Sequence, residues 1–535
     1  MQKTLLAGLV LAASLTGGEK FDVVVYGGTA GGVLTAVSAA REGLKVALLE
    51  PRSHLGGMMS GGLGWTDYGR KEVIGGYSLE FFFRAGRHYR MSQFGQEASW
   101  NFEPHVAENI FREMAREAGV TVLYNHRLRE KTGVRKEGAR VIEIFMENGQ
   151  SFEAKVFSDS SYEGDLMAQA GVSYTWGREG MPQYGESLAG VRGDTPKHQF
   201  TVKISPFGAD GKLLPEVYGG ERGAPGAADK KVQAYNFRLC FSSDKANQVP
   251  FPKPASYSPA RYELLARMLK AMAAEAGRAP RINQVMKPDP IPNNKLDVNN
   301  NGAFSTDYIG GSWEYPEADY RKRDEIWQAH VDYIAGFFYF LANDPQVPPD
   351  LQEEVNRWGL AKDEFADTNH WPHQLYVREA RRMVGSFVMT QKDLQTELTK
   401  PDPIGMGSYN SDSHNIQRVP TRDGFVVNEG DMQVAVTPYQ IPYRIMTPKR
   451  DEAQNLLVPV CFSASHVAYS SVRMEPQYMI LGHAAGVAAK MAIEGNRPVQ
   501  DIDTAALTKK LRAQGAVMEY VPSAFQENWR RFRAR

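Results

Sequence analysis

Residues 21–64 constrain this chain more than any other stretch. A short apolar run over 23–26 enters a glycine-rich turn at Gly27, Gly28, Gly31 and Gly32. An alanine-rich helical segment follows over 33–42. A second apolar run, 46–49, then ends in Glu50. Strand, glycine turn, helix, strand and acid, in that order, form a βαβ dinucleotide-binding unit. Gly27 turns the chain sharply off the strand, and Gly32 lets the helix pack closely on the sheet. The helix start, from Gly28 through Thr29, Ala30 and Gly31, offers free N–H groups and a partial positive charge to a pyrophosphate. Glu50 is placed to accept both hydroxyls of an adenosine ribose. Thr29 stands where the motif expects its second glycine, which predicts a backbone slightly further from the phosphate.

A second glycine cluster follows the acid. After Arg52 come Gly56, Gly57, Met58, Ser60, Gly61 and Gly62. A nicotinamide domain has no use for this second pair, so the cofactor expected here is FAD.

The chain has 535 residues, enough for more than one domain. Lys plus Arg and Asp plus Glu both total 62, so no net charge draws it to nucleic acid or to an anionic membrane. Its two cysteines, Cys240 and Cys461, give neither a disulfide framework nor a C-x-x-C redox pair and read as buried apolar residues. Residues 1–20 read as a signal peptide: Lys3 precedes an apolar run and then small residues, too short to span a bilayer. The expected location is therefore exported, periplasmic or extracellular, with no transmembrane anchor.

Further on, a helix is expected over 104–118. A small β-meander is expected over 120–124, 141–146 and 152–157, turning at Glu147-Asn148-Gly149. A strand closing near Asp159 returns the chain to the cofactor. From about 206 to 369 the texture turns rich in Pro, Asn and aromatics, with helices expected over 259–276 and 317–343. A buried strand over 455–461 and a helix over 475–496 then resume the α/β pattern, with Pro476 in the first turn. Gly482, Ala485, Gly486 and Ala489 give that helix a face of small residues. The expected fold is α/β: a discontinuous Rossmann-like FAD-binding domain (21–205 and 370–500) with an inserted α+β substrate or cap domain (206–369). Residues 501–535 read as a C-terminal tail with a solvated arginine-rich end.

The motifs YGGTAGG (26–32), LGGMMSGGLG (55–64), YEGDL (162–166), YNFRLC (235–240), KLDVNN (295–300), LYVREARRMVG (375–385) and SASHVAYSSVRMEP (463–476) carry a family resemblance. The chain resembles the FAD-dependent oxidoreductases of glutathione-reductase type found in bacteria, some of them labelled xanthan lyase-like. The resemblance covers most of the chain after the leader. It implies bound FAD and a redox reaction, and it supplies no substrate.

A flavin needs positive field near N1, an open face at N5 and a nearby base. Arg473 and the helix opening at Pro476 are expected to supply the first. Ser463, Glu475 and Met479 join Asp159 in the expected cofactor set. His466 is the first choice for the base, and His370 and His373 are second choices; Tyr443 is a further catalytic candidate, expected to help grip the substrate. These histidines lack further ligands at metal spacing, so no metal is expected. Arg378, Arg381, Arg382 and Arg444 are candidates to grip a substrate carboxylate. Asn299, Asn300 and Asn301 suit a polyhydroxylated ligand, and Trp65 and Tyr68 suit stacking on a sugar or the flavin. The expected reaction is oxidation of an alcohol of a carbohydrate-like or hydroxy-acid substrate, with hydride passing to flavin N5 and electrons leaving to a quinone, a cytochrome or oxygen. Reduction of a double bond is the nearest rival. A polysaccharide lyase would leave both glycine loops and Glu50 unexplained, and a scaffold would hold FAD only as a structural ligand.

Overall fold

The computed structural model describes residues 18–93, 95–522 and 525. Most of the expected leader, and the arginines from Arg530 to Arg535, lie outside the described residues. The main sheet begins with β1 (Glu19–Tyr26), inside the stretch read as leader, and continues through α1 (Ala30–Arg41) to β2 (Val46–Glu50). Helices α2 (Gly76–His88) and α3 (Pro104–Ala118) precede β3 (Thr121–Tyr124). Strands β4 (Val134–Glu137), β5 (Arg140–Phe145) and β6 (Ser151–Asp159) complete the run. The order across the sheet is β3-β2-β1-β6-β5-β4, and a short strand, Leu456–Leu457, also pairs with β6. β1 runs parallel to β2 with Val23 opposite Val46, and parallel to β6 with Tyr26 opposite Asp159.

The sheet is buried on both faces, which is why β1 reads as an unbroken apolar run rather than an alternation. Val23 and Val25 pack into the larger core, with Val33 and Val37 of α1. Val24 and Tyr26 pack on the opposite side with Phe152, Phe157 and Leu456. The long helix Glu475–Glu494, here called the closing helix, lies against α1. The Cβ that alanine would place at Gly482 falls 2.1 Å from the Gly31 carbonyl oxygen.

Three sequence expectations differ from the structure. β3 belongs to the parallel part of the main sheet beside β2, and the meander is β4-β5-β6. β4, with sequence VRKE, is too polar to show a strand periodicity. The strand expected over 455–461 pairs only at Leu456–Leu457, because Pro459 has no N–H to continue a ladder. The region read as a tail contains a helix, Thr504–Ala513, capped by Asp503 and docked through the fully buried Leu507 and Leu511.

The inserted region carries an antiparallel five-stranded sheet. Its order is Met286–Ile291, Lys295–Asn300, Leu239–Ser242, Gly359–Ala361, Gln248–Val249. Helices Glu263–Ala276 and Tyr320–Asn343 join Phe241, Phe251 and Phe304 in its aromatic core. Among the described residues, no helix is long and apolar enough to cross a membrane.

Candidate active site

The first glycine turn builds a cradle. Gly27 has φ +97°, a conformation an L side chain resists, and its amide donates to the Leu49 carbonyl. Thr29 is the N-cap of α1 and needs no glycine, because its φ is −62°. Its Oγ1 accepts from the Gly32 amide at 3.1 Å and donates to the Ser160 carbonyl at 2.8 Å. The amides of Ala30 and Gly31 precede the first intrahelical donor, Val33 N, and remain available to an anion. Glu50 braces the turn: one oxygen accepts from Gly28 N at 2.7 Å, the other from Arg52 N at 2.8 Å. Burial pushes its carboxyl up to about 7 against those two amides.

The second loop is tied to the first where Gly56 N donates to the Gly28 carbonyl at 2.7 Å. Ser60 Oγ donates back to the Leu55 carbonyl, and Gly61 lies under the side chain of Gln374. Met58 N donates to the Tyr162 hydroxyl. Between the loops and the inserted region is a cleft of about 280 Å3, with Glu50, Arg52, Tyr162 and Gln374 on one side and Tyr320 and Trp327 on the other. The Arg52 guanidinium lies 3.9 Å from the Trp327 ring centroid.

The start of the closing helix holds a set of unspent polar atoms. The Tyr162 hydroxyl donates to Glu475 Oε1 at 2.6 Å, while Glu475 Oε2, both amide atoms of Gln477 and Arg473 Nε are buried without a partner. Each such orphan costs roughly 1–3 kcal/mol unless a ligand satisfies it. Burial pushes the Glu475 carboxyl up to about 8, opposed by the Tyr162 bond and Arg473. Arg473 also donates to Asp412 Oδ2 at 3.1 Å and to the Tyr376 hydroxyl at 3.3 Å. The helix start thus sits between the cleft, through Tyr162, and a second cavity, through Tyr376 and Asp412. Free amides at α1, a paired-amide carboxylate at Glu50 and orphaned polar atoms at the helix start together fit a pyrophosphate, a ribose and the polar edge of an isoalloxazine.

The second cavity measures about 710 Å3. Asn283, Asn299, Asn300, Asn301 and Gln433 supply amides to its wall, and His198 and His414 supply imidazoles. His414 Nδ1 lies 2.7 Å from Asp307 Oδ2, and Nε2 lies 3.7 Å from Asp412 Oδ2. Arg378 stands behind Asp307 at 3.2 Å. Burial and Arg378 oppose a charge on His414, but Asp307 and Asp412 prevail and hold it above the ordinary imidazole value. His198, facing it across 6.4 Å, is pushed down to about 4 by burial and by His414.

The sequence candidates fall into distinct places. His466 is buried in an ionic cluster: Nδ1 is 2.8 Å from Glu379, and its amide donates to Glu179. Arg382 spends its guanidinium in the same cluster, on Glu179, Glu379 and two backbone carbonyls. Neither residue lines the two cavities. Tyr443 donates to the Val499 carbonyl inside the core, and Arg444 pairs with Asp402 and covers Phe387. Arg381 is held by Asp165 and Glu317. The oxygens of Asp159 accept from Ser161 and Met167, and Ser463 bonds Phe387 and Gly385, so both shape backbone. Met479 is buried in the closing helix. Asn300 lines the large cavity, and Trp65 lies at its edge.

His370 bonds the Glu364 carbonyl. His373 stacks on His54 at 3.9 Å, near Glu108, a grouping that no spacing in the sequence suggested. The two rings lie within 7° of parallel, so their in-plane lone pairs do not converge on one ion. The residues that sequence reading missed are His414, Asp307, Asp412 and His198. The local signal for Asp412 and His414 is the polar run Ser411 to Asn415, whereas His198 and Asp307 come from distant segments.

A family model described as FAD dependent oxidoreductase matches residues 22–511. No curated protein sequence matches the chain. Among similar solved structures is L-proline dehydrogenase from P. horikoshii, 15% identical over 30% of this chain and 59% of that one, with a TM-score of 0.24. Another is 3-ketosteroid-delta4-(5alpha)-dehydrogenase from Rhodococcus jostii RHA1, 19% identical over 30% and 50%, TM-score 0.20. A third is OxyS anhydrotetracycline hydroxylase from Streptomyces rimosus, 13% identical over 30% and 35%, TM-score 0.22. In each case less than two thirds of the other chain is covered.

Proposed function

The chain belongs to the FAD dependent oxidoreductase family, and from that premise we propose that it oxidises an alcohol carbon of a polyhydroxylated substrate, with His414 taking the hydroxyl proton. FAD, when bound, supplies the two-electron acceptor. The observation that carries the reading is the His414–Asp307 pair opening into an amide-lined cavity beside the start of the closing helix. Asp307 engages Nδ1 at 2.7 Å, and Nε2, 3.7 Å from Asp412 Oδ2, is the nitrogen that would take the hydroxyl proton. Asn299, Asn300 and Gln433 offer donors and acceptors that hold neighbouring hydroxyls. Arg473 and the helix start place positive field where reducing charge gathers. His414 replaces His466 in the role of base, because His466 is already engaged by Glu379 away from both cavities.

Anaerobic mixing of the FAD-loaded protein with sugars, polyols and hydroxy acids tests the reading. An alcohol substrate bleaches the flavin, and His414→Gln slows bleaching at least ~100-fold. Because the base works when neutral and its pKa is raised, the rate climbs with pH through a value above that of free imidazole. A variant that bleaches at the wild-type rate removes His414 from the mechanism. Flavin that stays yellow with every alcohol, yet is reoxidised by an activated alkene after chemical reduction, makes the protein a double-bond reductase instead.

A further inference from the structure

The edge strand Met286–Ile291 faces two hollows. Lys287, Pro288 and Asp289 line the large cavity, whereas Pro290 and Ile291 line a neighbouring hollow of about 600 Å3. Trp65 marks the boundary: its ring lines the second hollow, and Lys287 Nζ from the first lies 6.0 Å from its centroid. Tyr68 and Trp100 complete an aromatic wall, their rings 4.8 Å apart. Gln96, Asn101 and Lys71 add hydrogen-bonding groups, and among the described residues no carboxylate lines the hollow.

We propose that this hollow is a subsite for further units of a glycan chain, one unit of which reacts in the adjoining cavity. The inference rests on the polyhydroxylated-substrate reading and extends it from a single sugar to a chain. A sugar ring has apolar C–H faces and a polar rim, which match aromatic faces interleaved with amides. An alkyl chain would leave Gln96, Asn101 and Lys71 desolvated without partners. A peptide cannot add to this sheet edge as a strand, because Pro288, Pro290 and Pro292 remove alternate N–H donors. The two hollows adjoin where Lys287 approaches the Trp65 ring, which suits a linear ligand crossing from one to the other.

Calorimetric titration of the full FAD-loaded chain compares each monomer with its tetramer in three series: cello-, malto- and galacturonate oligosaccharides. At least one tetramer is expected to bind about tenfold or more tighter than its monomer, the worth of one stacked ring. That ratio is expected to fall to about 1 in Trp65→Ala and in Tyr68→Ala. Retained flavin and an unchanged circular dichroism spectrum certify the fold of both variants. No gain in any series, or a gain that survives both variants, overturns the proposal. A hollow filled by the chain's own C-terminal segment, whose Phe525 lines it, also shows no gain and overturns it. Monomers that bleach the flavin without any tetramer gain leave alcohol oxidation standing and remove the subsite. Tetramers that bind with the gain but never bleach support the subsite and remove alcohol oxidation.

Discussion

Both oxygens of Glu50 accept a backbone amide, from Gly28 and from Arg52. A glutamine there turns its NH2 group against one of those donors and also loses the charge that ribose hydroxyls favour. Glu50→Gln is expected to weaken FAD binding by ~10–100-fold, the worth of a charge-assisted bond, measured by fluorescence titration of the stripped protein. FAD binding to the wild type tightens as pH rises through about 7, because hydroxyl donors favour the charged carboxylate and binding releases its proton. The sign for the unliganded fold is opposite: a carboxyl raised above its unfolded value loses stability as pH climbs from about 4.5 through about 7. An affinity indifferent to both changes would remove Glu50 from the cofactor site. The placement of this acid was legible in the sequence because it is set by neighbours close along the chain. That of the proposed base was not. Ser411-Asp412-Ser413-His414 and Ser463-Ala464-Ser465-His466 are nearly the same tetrapeptide. They differ in what distant segments bring to them: Asp307 beside a cavity for one, Glu379 and Arg382 in a sealed cluster for the other.

At the scale of elements, α1 and the closing helix touch backbone to backbone. An alanine Cβ at Gly482 would meet the Gly31 oxygen at 2.1 Å, and one at Gly486 would meet the Ala39 amide at 2.5 Å. Gly482→Ala is therefore expected to force the helices apart at about 1–3 kcal/mol, read as a lower urea midpoint with faster flavin loss. Retained stability would mean that the contact is looser than described. The small-residue face was visible in the sequence, and so were α1, β1 and β2, because each is a strong local pattern. β4 and the helix Thr504–Ala513 escaped notice. One is polar on both faces, and the other shows only Leu507 and Leu511 as a buried apolar pair.

Over the whole molecule, the inserted region and the nucleotide domain meet at Arg238. Its buried guanidinium grips Asp297 at 2.6 and 2.7 Å, Asp297 also accepts from Trp65 N, and the Arg238 carbonyl presses against Gly62 of the second glycine loop. Arg238→Met strands a buried carboxylate and is expected to cost about 3–5 kcal/mol, most of it restored when Asp297→Leu is added. Calorimetry should show one melting transition for the wild type; two separate transitions would mean that the two regions unfold independently. The discontinuous layout was readable from the strand and helix expected over 455–496, but this junction was not, since its partners come from separate strands. Ser38 of α1 donates to the carbonyl of His483, 445 positions later. A nascent polypeptide leaving the ribosome therefore carries one wall of its flavin pocket long before the other has been translated. The pigment is thus expected to be acquired only once synthesis is nearly finished, and fragments truncated ahead of the last helices are expected to emerge colourless.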